Sequence, residues 1–370
     1  MPGRYAIEPA TPDDDDALRA LLRSTSMDGP MRLSFQREPD FFVAAAAGNL
    51  ATSVFVGREF ATGRVAATAT RSIRRAYVDG NERQVGYLSS LRLGEDVRKT
   101  NLLARFYRHL RQLHADCRVP FYVTTILDGN EEARRILTST RAGLPAYVPY
   151  GTLRTYMLPL YGRRKRVSRS SVSRGIAPEK LSSVFACLNR FNAGLQFAPV
   201  YGTEDLSADS RMLHGLSPAD FYLSSRGQEV AGTLAVWDQN GFKQSVIAGY
   251  SLGLAAIRPA LALAARLGLA PRLPHKGQAL PCLYAALVSS RESDEGVFRE
   301  LLETVLTERS GAGYAYLLLG LCDRHPFCGV VEKRSVMRID SRIYLVYWQD
   351  WEPGQLPSRD RIPHLEVATL

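Results

Sequence analysis

The sequence predicts an α+β protein built from two similar domains, on three observations. The chain has 370 residues, roughly twice the length of a common domain. The order of predicted helices and strands in the first 160 residues recurs after residue 180, although the residues themselves do not repeat. Between the two parts lies a basic, serine-rich segment that is typical of an exposed connector. We therefore predict domains at 1–160 and 181–370, joined by a linker at 161–180, each with a mixed, mostly antiparallel sheet flanked by helices.

The first domain is predicted to open with a helix and an antiparallel meander. Thr11 supplies a capping hydroxyl, Pro12 suits the first helical position, and the carboxylates of residues 13–16 favour the positive end of a helix dipole. A second apolar segment follows at 41–47. Three strands are predicted next, at 53–58, 64–73 and 84–93, the last two joined through Asp79-Gly80-Asn81.

Alternating element types complete both domains. The first domain continues with a helix whose apolar residues start at Leu102, a strand at 121–127, a helix from Asn130 and a strand at 150–158. The second domain is predicted to hold helices at 179–191, 294–309 and near Phe327, and strands at 221–225, 229–237, 243–248, 281–289, 314–321 and 343–348. The main departure from the first domain's plan is a helical, proline-broken insertion at 252–278.

Composition narrows the function classes. The acidic residues 13–16 differ from an export signal, and the uncharged run at 41–57 is shorter than a membrane span, so we expect a cytoplasmic protein without a membrane partner. The five cysteines are an odd, scattered set, which favours reduced thiols over a disulfide framework. The net charge of +10 is concentrated before residue 181. A solvated linker is preferred to phosphate, nucleic-acid or membrane binding by Arg163 to Arg166, which stays open.

The most informative segment is 91–103, where a predicted strand passes through a short loop into a helix. Unpaired amides at a helix N-terminus, together with the helix dipole, bind phosphate groups. This segment and the opening at 7–14 resemble the GNAT acyltransferase superfamily, whose loop Arg/Gln-x-x-Gly-x-Gly/Ala grips the pyrophosphate of coenzyme A. Arg98 stands at the arginine position, Asn101 at the first glycine and Leu103 at the second small residue.

The resemblance implies an acyl-CoA cofactor, acetyl-CoA or another, and no metal. The cofactor-binding residues that it implies are Leu91, Leu93, Arg98, Lys99, Thr100, Asn101, Leu102 and Leu103. A second family signature, an asparagine with an alanine three residues later, matches Asn130 and Ala133, and Asn130 is implied to contact the pantetheine arm. The tyrosine that often follows as a general acid has no match, and Tyr147 and Tyr150 lie a little further on.

The corresponding turn of the second domain, residues 290–298, retains Gly296 but has Ser293 where the arginine would stand. Its acidic residues oppose a pyrophosphate. We therefore interpret the second domain as a degenerate scaffold that shapes the acceptor pocket, as in tandem GNAT proteins such as the N-myristoyltransferases and mycothiol synthase.

The mechanism that the resemblance implies is direct attack of an amine on the thioester, with a backbone amide near Leu93 holding the oxyanion. Near-neutral operation needs a base with a shifted pKa or a water relay. Tyr87 and Ser89, on the strand that leads to the cofactor turn, are the first candidates, and Tyr150 is the next. The carboxylate of Leu370 is a further hypothesis, since some tandem relatives use a terminal carboxylate.

Other functions remain open. Gly249-Tyr250-Ser251-Leu252-Gly253 fits Gly-x-Ser-x-Gly, with His214, His325 and His364 elsewhere in the chain, so a serine hydrolase using Ser251 is one alternative. A predicted Asn240-Gly241 hairpin before Ser251 argues against it. The segment 322–328 gathers metal-capable groups but lacks a zinc spacing, so core cysteines are preferred. Lys243 is assigned to a solvated turn. A non-catalytic binding module and a subordinate aminoacyl-tRNA-dependent transferase complete the alternatives.

Overall fold

A computed structural model describes residues 4–27, 29–98, 100–139, 143–162, 171–348 and 356–370. The first half contributes strands β1 (Tyr5–Pro9), β2 (Met31–Gln36), β3 (Ala51–Glu59), β4 (Val65–Val78), β5 (Asn81–Leu93), β6 (Tyr122–Leu127) and β7 (Ala146–Pro159). Its helices are α1 (Asp15–Ser24), α2 (Phe41–Ala46), α3 (Leu102–His114) and α4 (Glu131–Leu137). The predicted alternation of elements in this half is therefore present, and β1 and β2 are additions to it.

The second half repeats the plan. Its strands are β8 (Val172–Arg174), β9 (Phe221–Arg226), β10 (Glu229–Trp237), β11 (Gln244–Tyr250), β12 (Cys282–Ser290), β13 (Tyr316–Cys322) and β14 (Met337–Tyr347). Its helices are α5 (Leu181–Asn192), α6 (Leu252–Arg266), α7 (Glu295–Arg309) and α8 (Cys328–Glu332).

The described strands of both halves form one continuous twelve-stranded sheet. Its order is β1-β3-β4-β5-β6-β14-β7-β13-β12-β10-β9-β8. Strand β14 of the second half pairs with both β6 and β7, and β7 of the first half pairs with both β14 and β13. Each half thus places one strand inside the hydrogen-bonded framework of the other. The predicted domain boundary at 161–180 stays a prediction.

A separate two-stranded sheet also links the halves. Strand β11 runs antiparallel to β2, with Val246 opposite Ser34. The predicted hairpin between β10 and β11 is wrong, because β10 pairs with β9 and β12 while β11 leaves the main sheet. The Asp79-Gly80 hairpin is confirmed, since β4 and β5 pair from Val78 and Asn81 outward and both turn residues have positive φ.

Strands β5 and β6 run parallel and then separate. They pair at Gly86 with Tyr122 and at Tyr87 with Val123. A side chain at Gly86 would place its Cβ 2.2 Å from the Tyr122 ring, so the close approach at this point requires glycine. Beyond Tyr87 the strands diverge, and the Thr124 hydroxyl donates to Leu88 O at 2.7 Å across the widening gap. This gap positions the candidate site.

The core lies on both faces of the sheet. Helices α3 and α4 cover β5 and β6 through a cluster that includes Tyr107, Tyr122 and Leu137. Helix α7 covers the second half through Phe298, which stacks on Phe327 at 4.2 Å between ring centroids. Helix α6 has no buried residue. Among the described helices, none has both the length and the apolar character needed to cross a membrane.

Candidate active site

A cavity of about 380 Å3 opens where β5 and β6 separate. Both halves line it: Tyr87, Ser89 and Thr125 come from the splayed strands, and Tyr284 and Leu370 come from the second half. The widening between the strands removes their mutual hydrogen bonds and leaves room for a ligand at the point where the sheet opens. The site is therefore an opening in the sheet that the second half closes.

A groove of about 180 Å3 leads to this cavity along α3 and α4. Leu91, Leu93, Arg98, Leu103 and Asn130 all line it, so the structure brings these five sequence-predicted cofactor residues together. The groove and the cavity share part of their lining, which makes the two spaces continuous. The shared residues are Met27, Phe35, Leu91, Arg92, Asn130, Ala133 and Leu137.

A bulge in β5 shapes the inner end of the groove. Ser90 has a φ of 53°, and the register with β4 shifts between Thr68 and Thr70. A bulge re-aims the groups that follow it. Because the described pairing of β5 with β6 ends at Tyr87, the backbone edge from Leu88 to Leu93 has no strand partner on the gap side. Leu88 O and Leu91 O accept from Thr124 and Arg92, and the other polar groups on the gap side are available to a ligand.

The outer end of the groove is the N-terminus of α3. Asn101 is the N-cap residue but makes no side-chain capping hydrogen bond. The Thr100 hydroxyl donates to Val97 O at 2.7 Å, and the Leu102 amide lies 3.3 Å from that hydroxyl. The Leu102 side chain is fully buried, so it contributes to the core and not to a ligand surface. Lys99 lies outside the described residues, as do Arg163 to Arg166 of the linker.

Arg98 and Asn130 face the groove with partners of their own. The Asn130 side chain caps α4 by accepting from the Ala133 amide at 3.1 Å. A guanidinium nitrogen of Arg98 lies 3.8 Å from a Glu132 carboxylate oxygen, and both side chains are about half exposed. An exposed pair at this distance is weak, so Arg98 can exchange Glu132 for a phosphate.

The candidate base residues fall into two places. Tyr87 is buried and lines the cavity, with its hydroxyl 3.5 Å from Thr125 Oγ1 and the Arg74 guanidinium 3.9 Å from its ring centroid. Ser89 also lines the cavity. Tyr150 does not: its hydroxyl donates to Ser358 O, and burial raises its pKa to about 12. This tyrosine packs against Phe197 and does not line the cavity.

A tyrosine pair that the sequence analysis did not single out lies at the junction of groove and cavity. The hydroxyls of Tyr107 and Tyr147 are hydrogen-bonded to each other, and both residues line the cavity beside Asn130. Burial raises the pKa of Tyr147, which therefore stays protonated at neutral pH. The sequence shows only that Tyr147 lies shortly after the family's usual tyrosine position. The length of the loop before β7 does not predict where the Tyr147 side chain points.

The last residues of the chain complete the wall. Leu370 lines the cavity, and Lys243 Nζ donates to Ala368 O and Leu370 O, each at 3.2 Å. Arg74 Nη2 donates to Thr369 O at 2.5 Å. The assignment of Lys243 to a solvated turn is wrong, because the turn after β10 folds inward under these residues. The Leu370 carboxylate stays a prediction.

Comparison with solved structures agrees with this architecture. A structure titled as Saccharomyces cerevisiae N-myristoyltransferase with bound myristoyl-CoA is similar to the chain at a TM-score of 0.61 and 12% identity, covering 98% of this chain and 85% of that one. A further structure of the yeast enzyme, with myristoyl-CoA and inhibitors, gives 0.63 at 11% identity over 99% and 87%. A GCN5-related N-acetyltransferase from Sphaerobacter thermophilus gives 0.57 at 11% identity over 97% and 99%.

The chain has the GNAT fold. The α+β class and the mostly antiparallel sheet flanked by helices are thereby confirmed. No protein-family model matches the sequence. No curated protein matches it either. The fold is thus shared at identities of 11–12%, where the comparison concerns architecture alone.

In the second GNAT-like half, a side chain of the turn itself occupies the position that corresponds to the cofactor loop. Asp294 Oδ1 accepts from the amides of Gly296 and Val297 at 2.8 and 3.1 Å, so the N-terminus of α7 is already capped by a carboxylate. Glu292 and Ser293 both have positive φ in this turn. An anion could bind there only by displacing Asp294, which agrees with the interpretation of this half as a scaffold.

The GNAT fold also places Ser251 in an ordinary capping role. Its hydroxyl accepts from the Leu254 amide at 3.4 Å at the start of α6. The strand before it, β11, is antiparallel to β2, whereas a nucleophile elbow follows a parallel strand. His325 lies 6.1 Å from His364 between ring centroids, and His214 packs on Phe242. Among the described contacts, none joins Ser251 to a histidine, so the arrangement does not support the hydrolase alternative.

The metal-capable segment at 322–328 belongs to the core. The Cys322 thiol donates to Asp323 Oδ1 and the Cys328 thiol donates to Cys322 O, each at 3.1 Å. Burial lowers the pKa of His325 to about 3, with a further contribution from His364. Within the described residues, no group of three or more metal-ligating side chains is present.

Proposed function

We propose that the protein is an acyl-CoA-dependent N-acyltransferase that transfers an acyl group, in the first instance acetyl, to an amine. One observation carries the proposal: a continuous path runs from the N-terminus of α3, along the unpaired edge of β5, into a cavity that both halves line. Such a path matches the shape of a long donor that enters from one side and an acceptor that enters from the other. The acceptor is an amine on a small molecule or a peptide.

The donor groove fits coenzyme A in three respects. Amide groups at the N-terminus of α3 and the side chain of Arg98 suit a pyrophosphate. The unpaired edge of β5 from Leu88 to Leu93 suits the amide groups of a pantetheine arm. The apolar lining of Leu91, Ala133 and Ile136 suits its methylene groups. When bound, the donor supplies a thioester carbonyl, which an amine can attack directly.

The chain's own residues then have separable roles. Amides of the β5 edge near Leu93 would stabilise the oxyanion, since preorganised backbone donors act without reorganisation. Tyr147 would donate a proton to the leaving thiolate, since the residue lines the cavity and its hydroxyl is protonated at neutral pH. Tyr87 and Ser89 border the cavity on the acceptor side and would position a water that takes the amine's proton.

A non-catalytic binding module is the second candidate, and one feature favours it. The GNAT pyrophosphate loop has small residues where this chain has Asn101 and Leu103, and Leu103 occupies part of the groove. A module of this kind would bind a ligand in the cavity without transferring an acyl group.

The test is turnover with acetyl-CoA and a panel of primary amines, followed by free-thiol release and by mass spectrometry of the product. Amine-dependent thiol release with a matching acylated product supports the proposal. In Tyr147→Phe we expect kcat to fall about 100-fold with KM little changed, because the variant loses a proton donor and no packing. Saturable acetyl-CoA binding without thiol release above the uncatalysed rate for any amine, and with Tyr147→Phe indistinguishable from the unmodified protein, would favour the binding module.

A further inference from the structure

The side chains that line the cavity carry an excess of positive charge. Among the described residues that line it, none is aspartate or glutamate, whereas Arg37, Arg71, Arg92 and Lys243 are present. Arg71 is neutralised by a bidentate pair with Asp116, both distances being 2.8 Å. The other three cations have no such carboxylate partner among the described side chains. Leu370 also lines the cavity, and its carboxylate is one counter-charge for these three cations. A cavity in which buried cations outnumber their counter-charges is expected to bind an anion.

The contacts of these three cations leave most of their donors free. Arg37 Nη1 is buried without a hydrogen-bond partner, and the Arg37 guanidinium lies 4.9 Å from the ring centroid of Phe41. Arg92 Nη1 donates to the carbonyl of the adjacent Leu91 at 3.0 Å. Lys243 Nζ donates to Ala368 O and to the terminal Leu370 O, each at 3.2 Å.

Arg37 interacts electrostatically with each of the other two cations. Burial lowers the pKa of Arg37 to about 10, with a further contribution from Arg92. Burial, together with Arg37 and Arg74, lowers the pKa of Lys243 well below its usual range. Burial lowers the pKa of Arg92 as well. Each guanidinium or ammonium would therefore be stabilised by an anion between them.

The positions of Arg37 and Lys243 separate these two cations from the donor, whereas Arg92 lines both the groove and the cavity. Arg37 directly follows β2 and Lys243 directly precedes β11, the two strands of the small sheet that joins the halves. Neither residue lines the donor groove, which Arg98 serves at its outer end. An anion held by Arg37 and Lys243 is therefore not the donor's pyrophosphate.

We propose that the acceptor carries, besides its amine, an anionic group that Arg37, Arg92 and Lys243 bind, so that the acceptor is a small amino-acid-like molecule with a carboxylate. This inference rests on the proposed function, because only an acyltransferase has an acceptor. Binding of an anion by the three cations can be measured without turnover. The same cations disfavour the ammonium form of the acceptor, which helps to present a neutral amine. They also exclude polyamines by like-charge repulsion.

A direct binding experiment tests the site without turnover. The full-length protein is titrated calorimetrically with 3-phenylpropionate, 3-phenylpropan-1-ol and 3-phenylpropylamine, which share an aryl chain suited to the apolar walls and differ in charge. Inorganic phosphate is a fourth probe. We expect the carboxylate to bind at least tenfold more tightly than the alcohol and the amine not to bind. Stronger binding of phosphate alone than of the carboxylate would overturn the amino-acid-like assignment.

Matched variants locate the effect. Arg37→Met and Lys243→Met should each weaken carboxylate binding about tenfold. Two control variants should leave it unchanged: Arg32→Met, because Arg32 lies on β2 but outside the cavity lining, and Lys276→Met, because Lys276 is exposed. Arg37→Lys provides a second variant should Arg37→Met fail to fold. Equal binding of carboxylate and alcohol, or equal loss in the control variants, would overturn the proposal.

A donor comparison excludes the other source of an anion. If succinyl-CoA bound much more tightly than butyryl-CoA, and Arg37→Met abolished the difference, the anion would belong to the acyl group and the proposal would be wrong. The two proposals also fail separately. Carboxylate binding without any acyl transfer would refute the proposed function alone, whereas transfer to amines that lack a carboxylate, unaffected by Arg37→Met, would refute the anion site alone.

Discussion

Glu366 is a buried carboxylate beside the cavity wall, and its environment makes the protein's stability depend on pH. Its Oε2 accepts from the Leu287 amide at 2.9 Å, yet burial raises its pKa to about 7, and backbone hydrogen bonds only partly oppose this. The folded state therefore holds the proton more tightly than the unfolded state does. The stability that this group contributes is complete below the unfolded pKa of about 4.5 and is lost as pH rises through about 7.

Glu366→Gln should remove this dependence. The loss in the unmodified protein between pH 4.5 and 8 is about 3 kcal/mol at most, and the variant should escape it because its amide does not titrate. Urea unfolding at pH 5 and pH 8 measures the difference between variant and unmodified protein. The buried His325 and His364 act in the opposite sense in both proteins and cancel in this comparison. A variant that keeps the original pH slope would contradict the assignment.

The sequence could predict the placement of residues where the backbone decides it, while their cofactor-binding roles stay predictions. Leu91, Leu93, Arg98 and Asn130 reach the groove because a strand-to-helix turn places them there whatever surrounds it. Arg37 and Lys243 were missed, since their direction depends on the pairing of β2 with β11 across more than 200 residues. A local pattern holds no information about such a contact.

At the scale of elements, α3 controls entry to the donor groove through Leu103. This side chain lines the groove at the position of a small residue in the GNAT loop. Leu103→Ala should enlarge the groove and tighten acetyl-CoA binding several-fold, about 1 kcal/mol, because the ligand then meets less steric opposition. Leu113→Ala is the matched control, being a half-buried leucine on the same helix that lines neither space. Calorimetry in which Leu103→Ala binds no better than Leu113→Ala would contradict this role.

Elements were predictable from the sequence where their pattern is local. β10 has the predicted bounds, and α7 begins one residue after the predicted start, because Asp294 caps it. The Asn240-Gly241 turn is a true turn, but its usual hairpin does not form, since β11 finds its partner in the first half. Turn chemistry predicts a reversal of the chain, and long-range packing decides which strands pair.

At the scale of the whole molecule, the exchange of β7 and β14 ties the two halves together. Unfolding either half would remove a central strand from the sheet of the other, so we expect one cooperative transition. Trp237 reports on the second half, and Trp348 reports on the first, where its ring lies 5.3 Å from His114. In each single-tryptophan variant, the fluorescence midpoint in urea should equal the midpoint of far-ultraviolet circular dichroism. Midpoints that separate by more than the experimental error would show halves that unfold independently.

Calorimetric titration with acetyl-CoA tests most directly whether the groove that ends at the N-terminus of α3 binds an acyl-CoA. Free coenzyme A and a salt series are the controls for non-specific attraction to a basic protein. We predict saturable binding in the micromolar to sub-millimolar range. Arg98→Ala should weaken it about three- to tenfold, because the variant loses one charge-assisted contact. Arg108→Ala, on the exposed side of α3, should leave it unchanged. Absence of heat and of thermal stabilisation, or equal weakening by both variants, would contradict binding in this groove.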